Sequence, residues 1–159
     1  MRLIVMMTVA ALVIPLCAEA QSKVEVFSGQ SVTSQLTALV QAAKGSGGSG
    51  ATLGDYKSHA IKLSVRTASG GAEIHANYDD IFLVTEGKAD LVTGGSIADA
   101  KTDSDGETKG SSIQNGESQT IAKGDVVHIP AGTPHQLILA PGSIYSSIVI
   151  KVREASEQH

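Results

Sequence analysis

Gly124-Asp125-Val126-Val127-His128-Ile129-Pro130-Ala131-Gly132-Thr133-Pro134-His135 places a Pro/Gly turn between two apolar, β-like runs and an imidazole just beyond that turn. Proline presets its own φ and cannot donate to a sheet ladder, while glycine supplies the backbone freedom of a tight reversal, so the spacing predicts strand, turn, strand. Alternate strand residues share a face, and His135 is in phase with Leu137 and Leu139, which read as core positions. The His135 ring is therefore expected to face the interior. His128 is out of phase with Val127 and Ile129 and is expected on the opposite face, in surface or interface packing.

The same period of two runs through most of the chain. Downstream, Gln136 to Ala140 and Ser143 to Arg153 read as strands separated by Pro141-Gly142, and Glu117 to Ala122 precedes Asp125 to Ile129 across Lys123-Gly124. Upstream, His59, Ile61, Leu63 and Val65 alternate with Ala60, Lys62, Ser64 and Arg66, the pattern of a half-buried strand. Ser69-Gly70-Gly71 turns the chain into an extended run from Ala72 to Asn77, followed by strands at Ile81 to Thr85 and Lys88 to Thr93. Many short strands at this spacing predict an all-β sandwich or barrel.

Two segments depart from that pattern. Val32, Leu36, Leu39, Val40 and Ala43 recur at helical spacing, so Ser31 to Lys44 is expected to be the one helix, with Ser31 as N-cap and Gly45 as stop. Gly45 to Gly50 (GSGGSG) is then expected to be a flexible connector, because glycine and serine neither bury apolar surface nor restrict the backbone. Asp99 to Asn115 is polar and lacks apolar periodicity, which predicts a long exposed loop. Its Asp103-Ser104-Asp105-Gly106-Glu107 is short of a complete calcium-ligand ladder and has no flanking helix, so a solvated loop is the expectation.

Composition bounds the function. Arg2, the apolar run Leu3 to Leu16 and the small-x-small pattern Ala18-Glu19-Ala20 read as a secretory signal over residues 1–20, which places the remainder in the periplasm or outside the cell. The single cysteine, Cys17, lies inside that signal, and Leu16 before it fits a lipoprotein site poorly, so an exported chain beginning at Gln21 has no thiol for disulfides, thiolate chemistry or metal ligation. A formal charge of -4 supplies no basic footprint for nucleic acid or anionic membrane, and the mature form is not expected to insert into a membrane. Partners are expected among small molecules or proteins. The expected organisation is a signal at 1–20, an N-terminal segment with helix and linker at 21–55, a barrel at 56–154 and a tail at 155–159 that includes His159.

Glu73 and His75 share one face of their strand, and Asp80, in phase with Phe82 and Val84, can approach them across a short turn. Together with His135 these make two imidazoles and two carboxylates at one barrel mouth, suited to a divalent ion such as Fe, Mn, Ni, Co or Zn with positions left for water or substrate. Unpaired buried carboxylates are costly, and a cation offsets that cost. Tyr78, Asn77 and His59 are the candidate ligand-binding residues around this site. No catalytic residue is assigned.

Gly124-x5-Pro130-x-Gly132-x2-His135 resembles the second motif of the cupin superfamily, and Glu73-x-His75-x4-Asp80-x6-Gly87 resembles the first, usually His-x-His-x3or4-Glu-x6-Gly. In order and spacing the resemblance extends over Tyr56 to Glu154. It implies a cupin jelly-roll barrel, a double-stranded β-helix, with metal ligands falling on Glu73, His75, Asp80 and His135. Glu73 stands where the first histidine is usual, Asp80 replaces the glutamate, and Leu139 stands where the second motif often ends in Asn; a register with His75 and Asn77 as the His-x-His pair leaves too few residues before Asp80.

The resemblance implies metal-dependent isomerase, lyase or dioxygenase chemistry on a small polar ligand, or a metal-free, non-catalytic binding or structural cupin of the cell envelope. Small cupins pair, so a homodimer is expected, with the tethered helix covering its own barrel or its partner's.

Overall fold

The computed structural model describes residues 23–154. The signal, Cys17 and His159 lie outside the described residues. One helix, α1 (Gly29–Ser46), precedes thirteen strands: β1 (Gly48–Asp55), β2 (His59–Arg66), β3 (Ala72–His75), β4 (Tyr78–Glu86), β5 (Lys88–Thr93), β6 (Ser96–Ala98), β7 (Lys101–Thr102), β8 (Glu107–Gly110), β9 (Ser112–Gln114), β10 (Glu117–Ala122), β11 (Val126–Ile129), β12 (His135–Ile138) and β13 (Tyr145–Arg153). They form a five-stranded sheet in the order β1-β2-β13-β4-β11, a six-stranded sheet in the order β10-β5-β12-β3-β8-β7 and a small β6-β9 pair. This is the all-β, double-stranded jelly roll expected from the sequence.

The two large sheets pack face to face through Phe82, Val84, Ile129, Tyr145 and Val149 on one side and Ala89, Leu91, Ile121 and Leu137 on the other. Antiparallel partners point to the same side of a sheet. Register therefore defines the inner face of the five-stranded sheet: Lys62 pairs with Val149 and Val149 with Phe82, while Ala60 pairs with Lys151 and Lys151 with Asp80. The inner face of β2 is consequently its polar one, Ala60, Lys62, Ser64 and Arg66.

The apolar face of β2 is buried elsewhere. Val65 pairs with Ser49, and the Ser49 hydroxyl donates to the Leu39 carbonyl of α1 at 2.6 Å, so this is the helix side of the sheet. Leu63, Val65 and Ala43 are each at most 1% exposed and form a second small core beneath the helix. Alternation along β2 reports half-burial correctly. It carries no information on which side of the sheet the apolar half lies.

Two expectations are corrected. The Gly/Ser run is not a flexible connector: Gly47, at φ 80, caps α1 through its N–H to the Ala43 carbonyl, and Gly48 to Gly50 already belong to β1, paired with Arg66 to Ser64. A Cβ at Gly50 would lie 2.9 Å from the Leu63 carbonyl oxygen, so glycine here serves close strand approach. The helix also begins earlier than expected, with the Ser28 side chain, not Ser31, accepting a capping bond, 3.2 Å from Ser31 N. It packs on β1 and β2 of its own chain.

Asp99 to Asn115 is not an open loop. It contains β7, β8 and β9, and β8 extends the six-stranded sheet by pairing with β3, setting Glu107 opposite His75 and Lys109 opposite Glu73. The Asp103 carboxylate accepts from the backbone N–H groups of Asp105 and Glu107 at 3.0 Å, so the acidic stretch is a self-capped hairpin turn. Edge pairing through backbone groups needs no apolar periodicity, which is why the segment reads as loop.

Candidate metal centre and ligand cavity

The turn from Pro130 to Pro134 does more than reverse the chain. Gly132, at φ 74, donates its N–H to the His75 carbonyl at 2.9 Å, and Ala131 N–H donates to Asp79 Oδ1 at 2.8 Å. The turn is thus bonded to the segment that carries the other cluster. β12 then pairs His135 directly with Glu73 and with Thr93 on β5.

Glu73, His75 and His135 offer ligand atoms that all lie within 4.8 Å of one another, a His/His/Glu group able to hold a metal ion. The rings of His75 and His135 are 5.1 Å apart between centroids, and both residues are buried. His135 Nε2 lies 3.6 Å from Glu73 Oε1 and 3.9 Å from Asp80 Oδ2, and His75 Nε2 lies 3.3 Å from Asp80 Oδ2. All four residues singled out in the sequence meet here. Asp80 is distinguished from the other three by Lys151, whose Nζ is 3.1 Å from Asp80 Oδ1.

The outer nitrogens of both imidazoles are held by oxygen acceptors. His135 Nδ1 is 3.0 Å from the Thr133 carbonyl, and His75 Nδ1 contacts the Glu107 carboxylate. Protons on both Nδ1 atoms leave both Nε2 lone pairs directed into the cluster, the arrangement in which histidines ligate metals. His135 Nε2 is buried without a hydrogen-bond partner among the described residues. A nitrogen–nitrogen–carboxylate set with an orphaned buried nitrogen fits a borderline divalent cation such as Zn, Fe, Mn, Co or Ni.

Electrostatics follow from the packing. Burial pushes the Glu73 carboxyl up, but His135, 3.6 Å away, together with the charges of His75 and Arg66 outweighs this and brings it down to about 2. Asp80 is likewise raised by burial and lowered further by His75 and Lys151, with a net shift downward. Burial lowers the basicity of His75, and Asp80 and Glu107 more than restore it.

The cluster opens into a cavity of about 720 Å³ whose lining includes Glu73, His75, Asp80 and Glu107 together with the inner face of the five-stranded sheet. Tyr78 lines it, with Lys151 Nζ 5.5 Å and Arg153 Cζ 4.9 Å from its ring centroid. His59 borders the cavity but stands on the helix-side phase of β2, its ring tilted against Tyr56 with the centroids 4.8 Å apart. Asn77 is a correction: it sits in the exposed Ala76–Asn77 turn and donates to the Asp105 carbonyl at 3.0 Å, outside the cavity wall. The alternation that would turn Asn77 inward ends with β3 at His75. His128 faces outward as expected, bonded to Asp79 at 2.9 Å.

Glu107, Lys151, Lys62, Arg66 and Lys109 went unselected in the sequence. Glu107 and Lys109 lie in the segment that lacks periodicity, and only their register against β3 reveals them. Lys151 does share a phase with Val149 and Ser147, but the opposite phase, Ile148, Ile150 and Val152, is the more apolar one. That contrast directs attention to the wrong face.

No protein-family model matches the chain, and no curated protein matches it. Solved structures do. A conserved protein with a double-stranded β-helix domain from Klebsiella pneumoniae aligns with a TM-score of 0.57 at 12% identity, covering 84% of this chain and 94% of that one. The Cnp3 cupin domain of Schizosaccharomyces pombe aligns with a TM-score of 0.51 at 12% identity, covering 67% and 65%. The DMSP lyase DddQ from Ruegeria pomeroyi aligns with a TM-score of 0.49 at 17% identity over 70% of this chain and 49% of that one, so the chain spans about half the length of that protein. At such identities the likeness establishes architecture alone. The two-sheet topology, the turn that carries His135 and the Klebsiella and Schizosaccharomyces matches together show that the chain has the fold of the cupin superfamily.

Proposed function

We propose that this chain is an exported cupin that holds a divalent metal ion on Glu73, His75 and His135, with Asp80 beside it, and binds a small polar molecule in the adjoining cavity. The observation that carries the reading is the matched presentation of two Nε2 atoms, each imidazole fixed through Nδ1 by Thr133 O or Glu107. A metal bound there would supply Lewis acidity toward a carbonyl, enediolate or oxygen-bearing ligand, within the isomerase, lyase and oxygenase range of chemistries. Asp80, paired with Lys151, is the carboxylate placed to hold or move a proton beside the ligand.

Metal analysis of purified wild type, His75→Ala and His135→Ala tests this reading. Stoichiometric metal in the wild type and its loss in both variants is the expected result. A wild type that stays metal-free after supplementation with Zn, Fe, Mn, Co and Ni overturns it.

A metal-free binding module is the second reading, favoured by a specific feature. Lys151 beside Asp80, and His75 between Asp80 and Glu107, supply internal partners for the buried carboxylates. Export rests on the signal-like residues 1–20 and is checked by locating the processed protein in cell fractions. Homodimerisation is supported by the outer face of the five-stranded sheet, where cross-strand partners Leu83 and Val126 are exposed. Its test is the solution mass of Val126→Lys against wild type.

A further inference from the structure

The cavity is rich in charged side chains. Its six-stranded wall presents Glu73, His75 and Glu107 with Lys109, and its five-stranded wall presents Lys62, Arg66, Lys151 and Arg153 with Asp55 and Asp80. Five of the chain's 12 Lys and Arg residues therefore line one cavity in a protein of net charge -4. The cations outnumber the four lining carboxylates, Asp55, Glu73, Asp80 and Glu107, in a molecule whose own charge is negative.

Internal ion pairing does not account for these cations. Among the described residues, Lys151 alone of the five has a carboxylate oxygen within 4.0 Å, on Asp80. Arg66 is the most constrained of the others: its Nε is buried without a hydrogen-bond partner, and a Cβ at Gly70 would lie 2.5 Å from its Nη1. Glycine at position 70 leaves room for the guanidinium. A guanidinium in a cavity wall without a carboxylate partner is suited to pair with a planar anion.

We propose that the cavity binds a small organic dianion with two carboxylates, one directed to the His/Glu centre and the other held by Arg66 and Lys62 on the opposite wall. The inference rests on the ligand-binding reading above and specifies its ligand class. A single carboxylate would be satisfied at the metal and would leave the facing cations without a function. Hydroxyls of Thr52, Ser64 and Ser147 line the space between and suit the polar middle of such a molecule. Cations on a cavity wall also raise the local concentration of anions and speed their capture, an effect that added salt weakens.

Calorimetric titration of cobalt-loaded and EDTA-treated protein with malonate, succinate, glutarate, neutral succinamide and inorganic phosphate tests the assignment. At least one dicarboxylate should bind both forms saturably, tenfold or more tighter than succinamide. Arg66→Gln and Lys62→Gln should each weaken that binding at least fivefold while cobalt stoichiometry stays at the wild-type value. If Arg66→Gln fails to fold, Lys62→Gln, at an exposed position, decides the matter.

Equal affinity for succinamide, unchanged affinity in the folded variants, or no saturation by any dicarboxylate overturns the proposal, and tighter binding of phosphate than of every dicarboxylate overturns the carboxylate assignment. Dicarboxylate binding that persists in a wild type unable to take up cobalt upholds this inference while removing the metal.

Discussion

At the residue scale the site depends on second partners as much as on the inward-facing atoms. Glu107 contacts only the far side of His75, yet it fixes which nitrogen carries the proton and which presents a lone pair. Glu107→Gln should therefore weaken metal affinity by about 10–100-fold without changing the stoichiometry at saturation, as read by competitive cobalt titration. A change in stoichiometry would mean that Glu107 is itself a ligand. Glu73 offers a separate test in the metal-free protein, because its folded pKa of about 2 lies below its ordinary 4.5. A depressed carboxylate pKa contributes stability that is present above about pH 4.5 and is lost as the pH falls toward 2. Urea unfolding of wild type and Glu73→Gln from pH 6 to pH 2.5 should show the wild-type advantage shrinking across that interval.

At the element scale, the β11–β12 turn and β8 contribute differently. Gly132 has φ 74 and open space where a Cβ would stand, so Gly132→Ala meets a backbone penalty and no clash. Its cost should be about 1 kcal/mol in denaturant unfolding, the usual left-handed penalty for an L-residue. The turn was legible in the sequence because proline and glycine act through their own covalent geometry. β8 was not legible, because an edge strand held by backbone pairing imposes no hydrophobic period on its side chains. The same reason hid β1, whose Gly48, Ser49 and Gly50 pair with β2 through their backbone while Ser49 reaches α1 with its hydroxyl.

At the scale of the whole molecule, the five-stranded sheet is covered by the opposing sheet on its inner face and, over β1 and β2, by α1 on its outer face. Leu63, at 1% exposure, belongs to the helix-side core, and Leu91, at 5%, to the core between the sheets. Leu63→Ala and Leu91→Ala should each cost about 2–5 kcal/mol. Because β2 belongs to both layers, circular dichroism and fluorescence of a label on α1 should report one coincident unfolding transition. Separate transitions would show that α1 docks as an independent unit. Among the described residues no helix is long and apolar enough to cross a membrane, and α1 spends its apolar stripe on β1 and β2.

Local chemistry in the sequence determined the strand–turn–strand unit at Gly124 to His135, the inward phase of His135, and the approach of Glu73, His75 and Asp80, since each follows from covalent geometry or from a period of two over a few residues. Only the tertiary structure decided which face of β2 lines the cavity, that Glu107 stands behind His75, and that Lys151 stands beside Asp80. Those are relations between strands distant in the chain, set by register. A one-residue shift in register would turn each of these side chains to the other face.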